Sequence, residues 1–418
     1  MNRLDVAIVW PDGTRSPVGS VYWTDPDAQR GGAIQSEFHY APAYLADPRA
    51  FALDPVALPL RPGAHTVRRP AEGVPAILED SAPDDWGRRL IARHHHLPGR
   101  LCRVPVFLRL VGGSVLGALR YSDAGSPLIE TETAAATTIP GLLLEADQFV
   151  RGGDGNLMQL FRAGASAGGA RPKVLVRDAG GRERIAKFPR YDDAVSVVRL
   201  EAAALHVARA AGLPVPDFTV HETVNGPVLL LDRFDVTPPG GRRHMATMKT
   251  LLAADGYYHA SYADMADVVR RLSADISTDL TSLYRRMVLN AALGNTDDHL
   301  KNFAMLHDER GWTLSPVYDL IPDVQDRREH VLAFGNGSSA PPTRAALLQI
   351  APAFGLSGAA ANDALAAVGK AIMQWPTACE RFGVLPTETE GFARDIAARV
   401  AHCGLIPRAG RPDAQPKP

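Results

Sequence analysis

Gly294-Asn295-Thr296-Asp297-Asp298-His299-Leu300-Lys301-Asn302 is the stretch that decides the fold, because an aspartate stands five positions before an asparagine in a polar loop. Phosphoryl transfer to an alcohol calls for that pairing: a carboxylate to take the hydroxyl proton and orient the nucleophile, and an amide oxygen to hold a divalent cation. Asp297 has the spacing of the base and Asn302 that of the metal ligand. Asp298 is one residue closer to Asn302, and a slip of one position stays open on spacing alone. Upstream, Leu280, Leu283, Tyr284 and Met287 share one face of a predicted helix that starts at Ser277 or Thr278 and stops at Gly294. Packed along that face, the helix would hold the loop rigid.

Asp and Asn after a helix commonly serve only as turn formers and caps, so the reading needs its neighbours. Residues 303–306 and 312–318 predict two strands joined by a turn at 307–311, which would bring Asn302 and Asp319 to one open end. One amide and one carboxylate suit Mg²⁺, which takes one or two protein ligands plus phosphate oxygens and water. Residues 182–188 predict a strand bearing a lone lysine, Lys187. Glu201, in an Ala/Leu/Val-rich helix further on, is an expected ion-pair partner, since an unpaired buried carboxylate is costly. Ahead of that strand, residues 164–173 form a loop of small residues whose backbone N–H groups could approach phosphate. Residues 228–231 predict an apolar strand running into Asp232-Arg233-Phe234-Asp235, suited to a hinge whose backbone meets adenine.

Composition bounds the rest. The chain has 418 residues, 46% of them hydrophobic, enough for two or three domains. Lys plus Arg (45) balance Asp plus Glu (46), which excludes the single-signed field of a strong nucleic-acid or membrane binder. Three widely spaced cysteines fit reduced thiols in a cytoplasmic protein better than a disulfide framework. No run of about 18 apolar residues predicts a membrane span. Residues 6–10 and 18–23 flank Pro11-Asp12-Gly13 as a predicted hairpin, and residues 106–110 and 115–121 flank Gly112-Gly113 as a second. The expected organisation is a β-rich N-terminal subdomain (1–125), a small-residue, threonine-rich boundary, a strand-rich lobe (150–235), a helical lobe (236–405) and a proline-rich disordered tail (406–418). Arg242-Arg243 are expected as solvated charge, and Trp86 as a core anchor.

Taken together and in this order, residues 166–173, Ala186-Lys187-Phe188-Pro189, residues 231–235, residues 295–302 and Tyr318-Asp319 resemble the HipA family of bacterial toxin kinases. Ser81-Ala82-Pro83-Asp84-Asp85-Trp86-Gly87-Arg88 is similar to a further family element, with Asp85 where glycine is usual. The resemblance runs from about residue 4 to about residue 400. It implies an α+β, protein-kinase-like two-lobed fold and a Ser/Thr protein kinase using ATP and Mg²⁺. Asp297 would be the base, with His299 and Asn302 completing the catalytic loop, and Asn302 and Asp319 would hold the metal. Gly168, Gly169, Ala170 and Lys173 would cover the nucleotide, Lys187 would contact its phosphates, and the backbone at Asp232, Arg233 and Phe234 would hold adenine. His299, Lys301 and Tyr318 would complete the nucleotide site. Ser166 matches the family's autophosphorylation site. The implied partners are a small HipB-like helix-turn-helix antitoxin, operator DNA only through that antitoxin, and a protein substrate, with an aminoacyl-tRNA synthetase as the family precedent. Residues 242–248 depart from the Gln-Glu-Asp motif that follows the hinge in some members.

Overall fold

The computed structural model describes residues 2–25, 27, 29, 33–67, 73–127, 134–153, 160, 171–238, 240–256, 258–324, 327, 329–335 and 337–406. Contacts divide the chain into two units. The first comprises Met1–Ala194, Pro216–Tyr258 and Phe303–Ser315, and the second Val195–Val215, His259–Asn302 and Pro316–Pro418.

The first unit opens with the expected hairpin. Strands β1 (Asn2–Val9) and β2 (Arg15–Trp23) pair antiparallel, and Gly13 turns the chain at φ 83°, a conformation that costs glycine little. With β3 (Ser36–Tyr40), β4 (Ala64–Val67) and β5 (Leu119–Asp123) they form one sheet in the order β4-β3-β2-β1-β5. The second expected hairpin is not formed. Val104–Val111 is a helix, with Pro105 in its first turn and Val104, Phe107, Leu108 and Val111 buried at helical spacing. Strand β5 pairs with β1 instead, Tyr121 opposite Val6.

A second sheet follows: β6 (Ala134–Ala135), β7 (Lys173–Arg177), β8 (Glu183–Lys187), β9 (Phe218–Thr223) and β10 (Gly226–Asp232), in the order β6-β7-β8-β10-β9. Its core joins Trp86 and Leu90 to Ile139, Leu142, Leu143, Ala146 and Phe149 and to the strand residues Val174, Val176, Ala186, Val228 and Leu230. Trp86 is fully buried, edge-on to Phe149 at 5.0 Å, as expected of an anchor. The helix Ile139–Val150 occupies sequence read above as a boundary; its apolar stripe is short and follows a polar, threonine-rich lead. Strands β11 (Val236–Thr237) and β12 (Gly241–Arg242) pair locally. Strands β13 (His244–Thr247), β14 (Ala304–Asp308) and β15 (Gly311–Leu314) form a third sheet. The β14–β15 hairpin has a tighter turn than expected, since Asp308 already faces Gly311.

Arg242 and Arg243 are not solvated charge. Arg242 Nη2 donates to Glu183 at 2.8 Å and Arg243 Nε to Asp308 at 3.1 Å. Beside them His244 and His307 pack with Phe51 and Trp312, and burial lowers both histidines to about 4.

The second unit is mainly helical. Its axis is the helix Ile276–Leu293, whose residues from Met287 to Leu293 are all buried, packed against the helices Tyr262–Leu272, Gly358–Ile372 and Pro386–His402. The N-cap is Asp275, whose carboxylate accepts from Thr278 N at 3.3 Å, rather than Ser277 or Thr278; the helix starts earlier than the apolar pattern does. Among the described residues no helix is long and apolar enough to cross a membrane.

Candidate active site

In the second unit the axial helix ends at Gly294 in the left-handed conformation (φ 75°), with Gly294 N and Asn295 N both donating to Asn290 O at 3.0 Å. The left-handed conformation is what favours glycine here; a Cβ at Gly294 would stand 2.7 Å from Arg399 Nε, at the movable end of that side chain. Asn295 Nδ2 then donates to Asn290 Oδ1 at 3.1 Å, fixing the loop's exit.

The two adjacent aspartates behave in opposite ways. Asp298 has no exposed surface. One of its oxygens accepts from Tyr262 Oη at 2.6 Å and faces His330 Nδ1 at 3.2 Å; the other accepts from Val331 N at 2.9 Å and Leu332 N at 3.2 Å. Burial, with the Asp298 carboxylate beside it, raises Tyr262 well above its ordinary value, so the phenol remains a donor. Asp297 is 58% exposed, and its carboxylate accepts from Arg327 Nη1 at 3.3 Å. Arg327 is in turn held by the buried Asp323, through Nε at 3.1 Å and its backbone N–H. Of the two carboxylates, Asp297 is the one a substrate could reach.

Asn302 Nδ2 donates to Asp297 O at 2.9 Å, which closes the five-residue spacing and leaves the amide oxygen as its acceptor for a cation. The loop also closes through Asn302 N on His299 O at 2.9 Å, while the His299 side chain is half-buried. Asp319 adopts φ 49°, one of three positive-φ residues other than glycine among those described. Such a conformation costs about 1–3 kcal/mol and persists only where the surroundings impose it. Those surroundings are visible. Buried Arg286 reaches the carbonyls of Asn302 and of Tyr318 (3.4 Å), its guanidinium lies over the Tyr318 ring at 5.5 Å, and Tyr318 Oη donates to Lys301 O at 2.8 Å. Asn302 and Asp319 are therefore brought to one guanidinium. An amide oxygen and a carboxylate with no soft donor fit Mg²⁺ and not a thiolate-seeking metal.

In the first unit Lys173 and Lys187 are direct cross-strand neighbours on β7 and β8, and Lys173 is buried. At the hinge, Asp232 N donates to Asp217 O at 2.8 Å and Phe234 O accepts from Arg243 Nη1 at 2.8 Å. Arg233 is spent on the fold: buried, it grips Asp235 at 2.6 and 3.0 Å, Glu183 at 3.0 Å and Val115 O at 3.2 Å. Burial opposes the charge of Asp235, but Arg233 outweighs it and holds the carboxyl at about 2. Ser166, Gly168, Gly169 and Ala170 lie outside the described residues. Arg286, Arg327, Tyr262 and His330 carry weight that motif spacing does not reveal. Only Arg286 leaves a sequence signal, as a charge within an apolar helical stretch.

Comparison with known proteins identifies relatives of the chain. A family model described as the HipA-like C-terminal domain matches residues 165–375, and one described as the HipA N-terminal domain matches residues 13–122. "Putative kinase Y4mE" of Sinorhizobium fredii is 30% identical over 150 residues, 34% of each chain. "Toxin YjjJ" of Escherichia coli is 28% identical over 174 residues, 38% of this chain and 39% of that one. The chain thus matches a little over a third of the length of these curated relatives. The HipA of Shewanella oneidensis MR-1, solved with HipB and its operator DNA, superposes with a TM-score of 0.69 over 96% of both chains at 17% identity, which establishes the shared fold. With the C-terminal model spanning half the chain and the N-terminal model most of what precedes it, the protein is a member of the HipA family, with that family's kinase-like α+β fold.

Proposed function

We propose that this protein is an ATP- and Mg²⁺-dependent Ser/Thr protein kinase, the toxin of a toxin–antitoxin pair. The observation that carries the reading is the division between the adjacent aspartates, which leaves Asp297 exposed on a loop whose Asn302 carbonyl shares one buried arginine with the carbonyl of Tyr318, the residue before Asp319.

On this reading Asp297 accepts the proton of a Ser or Thr hydroxyl as its oxygen bonds to the γ-phosphorus; the bond to the β,γ-bridging oxygen breaks and ADP leaves with the electron pair. Mg²⁺, when bound, offsets the charge on the phosphate oxygens. Asn302 and Asp319 would hold it, Lys173 and Lys187 would answer the phosphates, and the backbone at Asp232 and Phe234 would meet adenine. Arg233 keeps the hinge in place rather than touching nucleotide. Gly168, Gly169 and Ala170 would cover the phosphates, His299 would support the loop, and Lys301 and Tyr318 would line the nucleotide site. Ser166 would be a self-modification site: a phosphate there adds about −1.5 to −2 charges beside the nucleotide and would inactivate the enzyme.

The partner proposed is a small HipB-like antitoxin, since the Shewanella relative was solved with HipB and operator DNA. DNA would be met through that protein. A cytoplasmic protein, with an aminoacyl-tRNA synthetase as the first to try, would be the substrate. Purified protein with Mg²⁺ and γ-labelled ATP should incorporate label at Ser166. Label that instead appears only on an added small alcohol would replace the protein-kinase reading with a small-molecule phosphotransferase.

A further inference from the structure

The two residues proposed to hold the cation come from separate segments, and the same pair of side chains ties those segments together. Arg286, on the axial helix, reaches the carbonyls of Asn302 and Tyr318, and Tyr318 returns a hydroxyl to Lys301 O at 2.8 Å. Each residue so tied is a proposed ligand or its immediate chain neighbour. The guanidinium also lies over the Tyr318 ring and within electrostatic reach of Asp319. Burial lowers Arg286 to about 10, which leaves it charged at neutral pH.

Mg²⁺ demands near-ideal octahedral geometry at about 2.0–2.1 Å, so a small drift of one ligand segment against the other loses the site. Both carbonyls are reached from the one nitrogen Nη2, whose two N–H directions are fixed by the planar guanidinium, whereas the donors of an ammonium rotate on a flexible stem. We infer that Arg286 and Tyr318 are positioning residues that set the separation of Asn302 and Asp319 and thereby the affinity for the divalent cation. This rests on the kinase reading above. Neither side chain is a metal ligand; both act through the carbonyls and ring that hold the ligands. The same tie accounts for Asp319 keeping φ 49°, since Tyr318, just before it, is fixed at its carbonyl and at its ring.

The test is direct Mn²⁺ binding, followed by electron paramagnetic resonance with ADP present, on the full-length wild type, Arg286→Lys and Tyr318→Phe. Outer partners of metal ligands are typically worth about 10–100-fold in affinity. Arg286→Lys should weaken Mn²⁺ binding within that range while its ADP binding without metal stays as in wild type; Tyr318→Phe should weaken Mn²⁺ binding by less, read against that variant's own metal-free ADP affinity because Tyr318 also lines the proposed nucleotide site. In the kinase assay the variants should need correspondingly more Mg²⁺, with turnover recovering as the metal is raised. Far-ultraviolet circular dichroism identifies a variant that fails to fold; if Arg286→Lys does, Tyr318→Phe alone decides. Unchanged Mn²⁺ affinity in a folded variant overturns the inference and leaves the kinase reading standing. A wild type that binds no Mn²⁺ with ADP and transfers no phosphate overturns both.

Discussion

The proposed hinge and the proposed catalytic loop are both short polar stretches with paired charges, yet they use them differently. In Arg233-Phe234-Asp235 both charges are buried and face each other, with Glu183 and Arg242 completing the group. In Asp297-Asp298 one carboxylate is buried under four donors while its neighbour is left in solvent. Adjacency in sequence therefore says little about role. A carboxylate whose oxygens are all engaged builds the site, and one that keeps an oxygen open can do chemistry there.

The strongest way to break this contrast is to neutralise the two loop aspartates separately. Asp297→Asn should cost phosphoryl transfer about 100- to 10,000-fold, the usual worth of a positioned base, with the melting temperature unchanged. Asp298→Asn keeps the shape but turns an acceptor into a donor against N–H and O–H groups, and should destabilise the fold by about 1–3 kcal/mol. Equal losses of activity at equal stability would erase the distinction.

At the hinge, Asp235→Ala leaves Arg233 buried without its main partner. Denaturant unfolding should then show a loss of about 3–5 kcal/mol. A change below about 1 kcal/mol would mean that the group is solvated in practice, on the scale expected of surface pairs.

A smaller effect comes from His244 and His307. Their folded values, about 4, lie below the ordinary 6.5, so the native state binds fewer protons than the unfolded chain. Their contribution is complete above about pH 6.5 and is lost as pH falls toward 4. Fully buried His244 alone should be worth on the order of 2–3 kcal/mol across that window, at about 1.4 kcal/mol per unit. Urea midpoints at pH 7 and pH 5 read it, and His244→Phe should flatten the difference.

What the sequence makes legible follows from locality. The first hairpin, the axial helix stopping at Gly294, the strand carrying Lys187 and the five-residue spacing from Asp297 to Asn302 are all set by neighbours in the chain. The helix Val104–Val111 is misread as a strand because an apolar run that short fits both periods, and the position of its proline decides the matter. Arg242 reads as solvated because its partner Glu183 is remote in sequence. Likewise the choice between Asp297 and Asp298 rests on Tyr262 and residues 330–332, which no local pattern points to.

The most direct test of the central claim is transfer of label from γ-labelled ATP, with Mg²⁺, to purified wild type, Asp297→Asn and Asp298→Asn, read by mass spectrometry of the peptide containing Ser166. Label in the wild type, none in Asp297→Asn, and label in whatever fraction of Asp298→Asn remains folded is the predicted result. Undiminished label in Asp297→Asn would contradict the account, because the exposed aspartate would then not be the base.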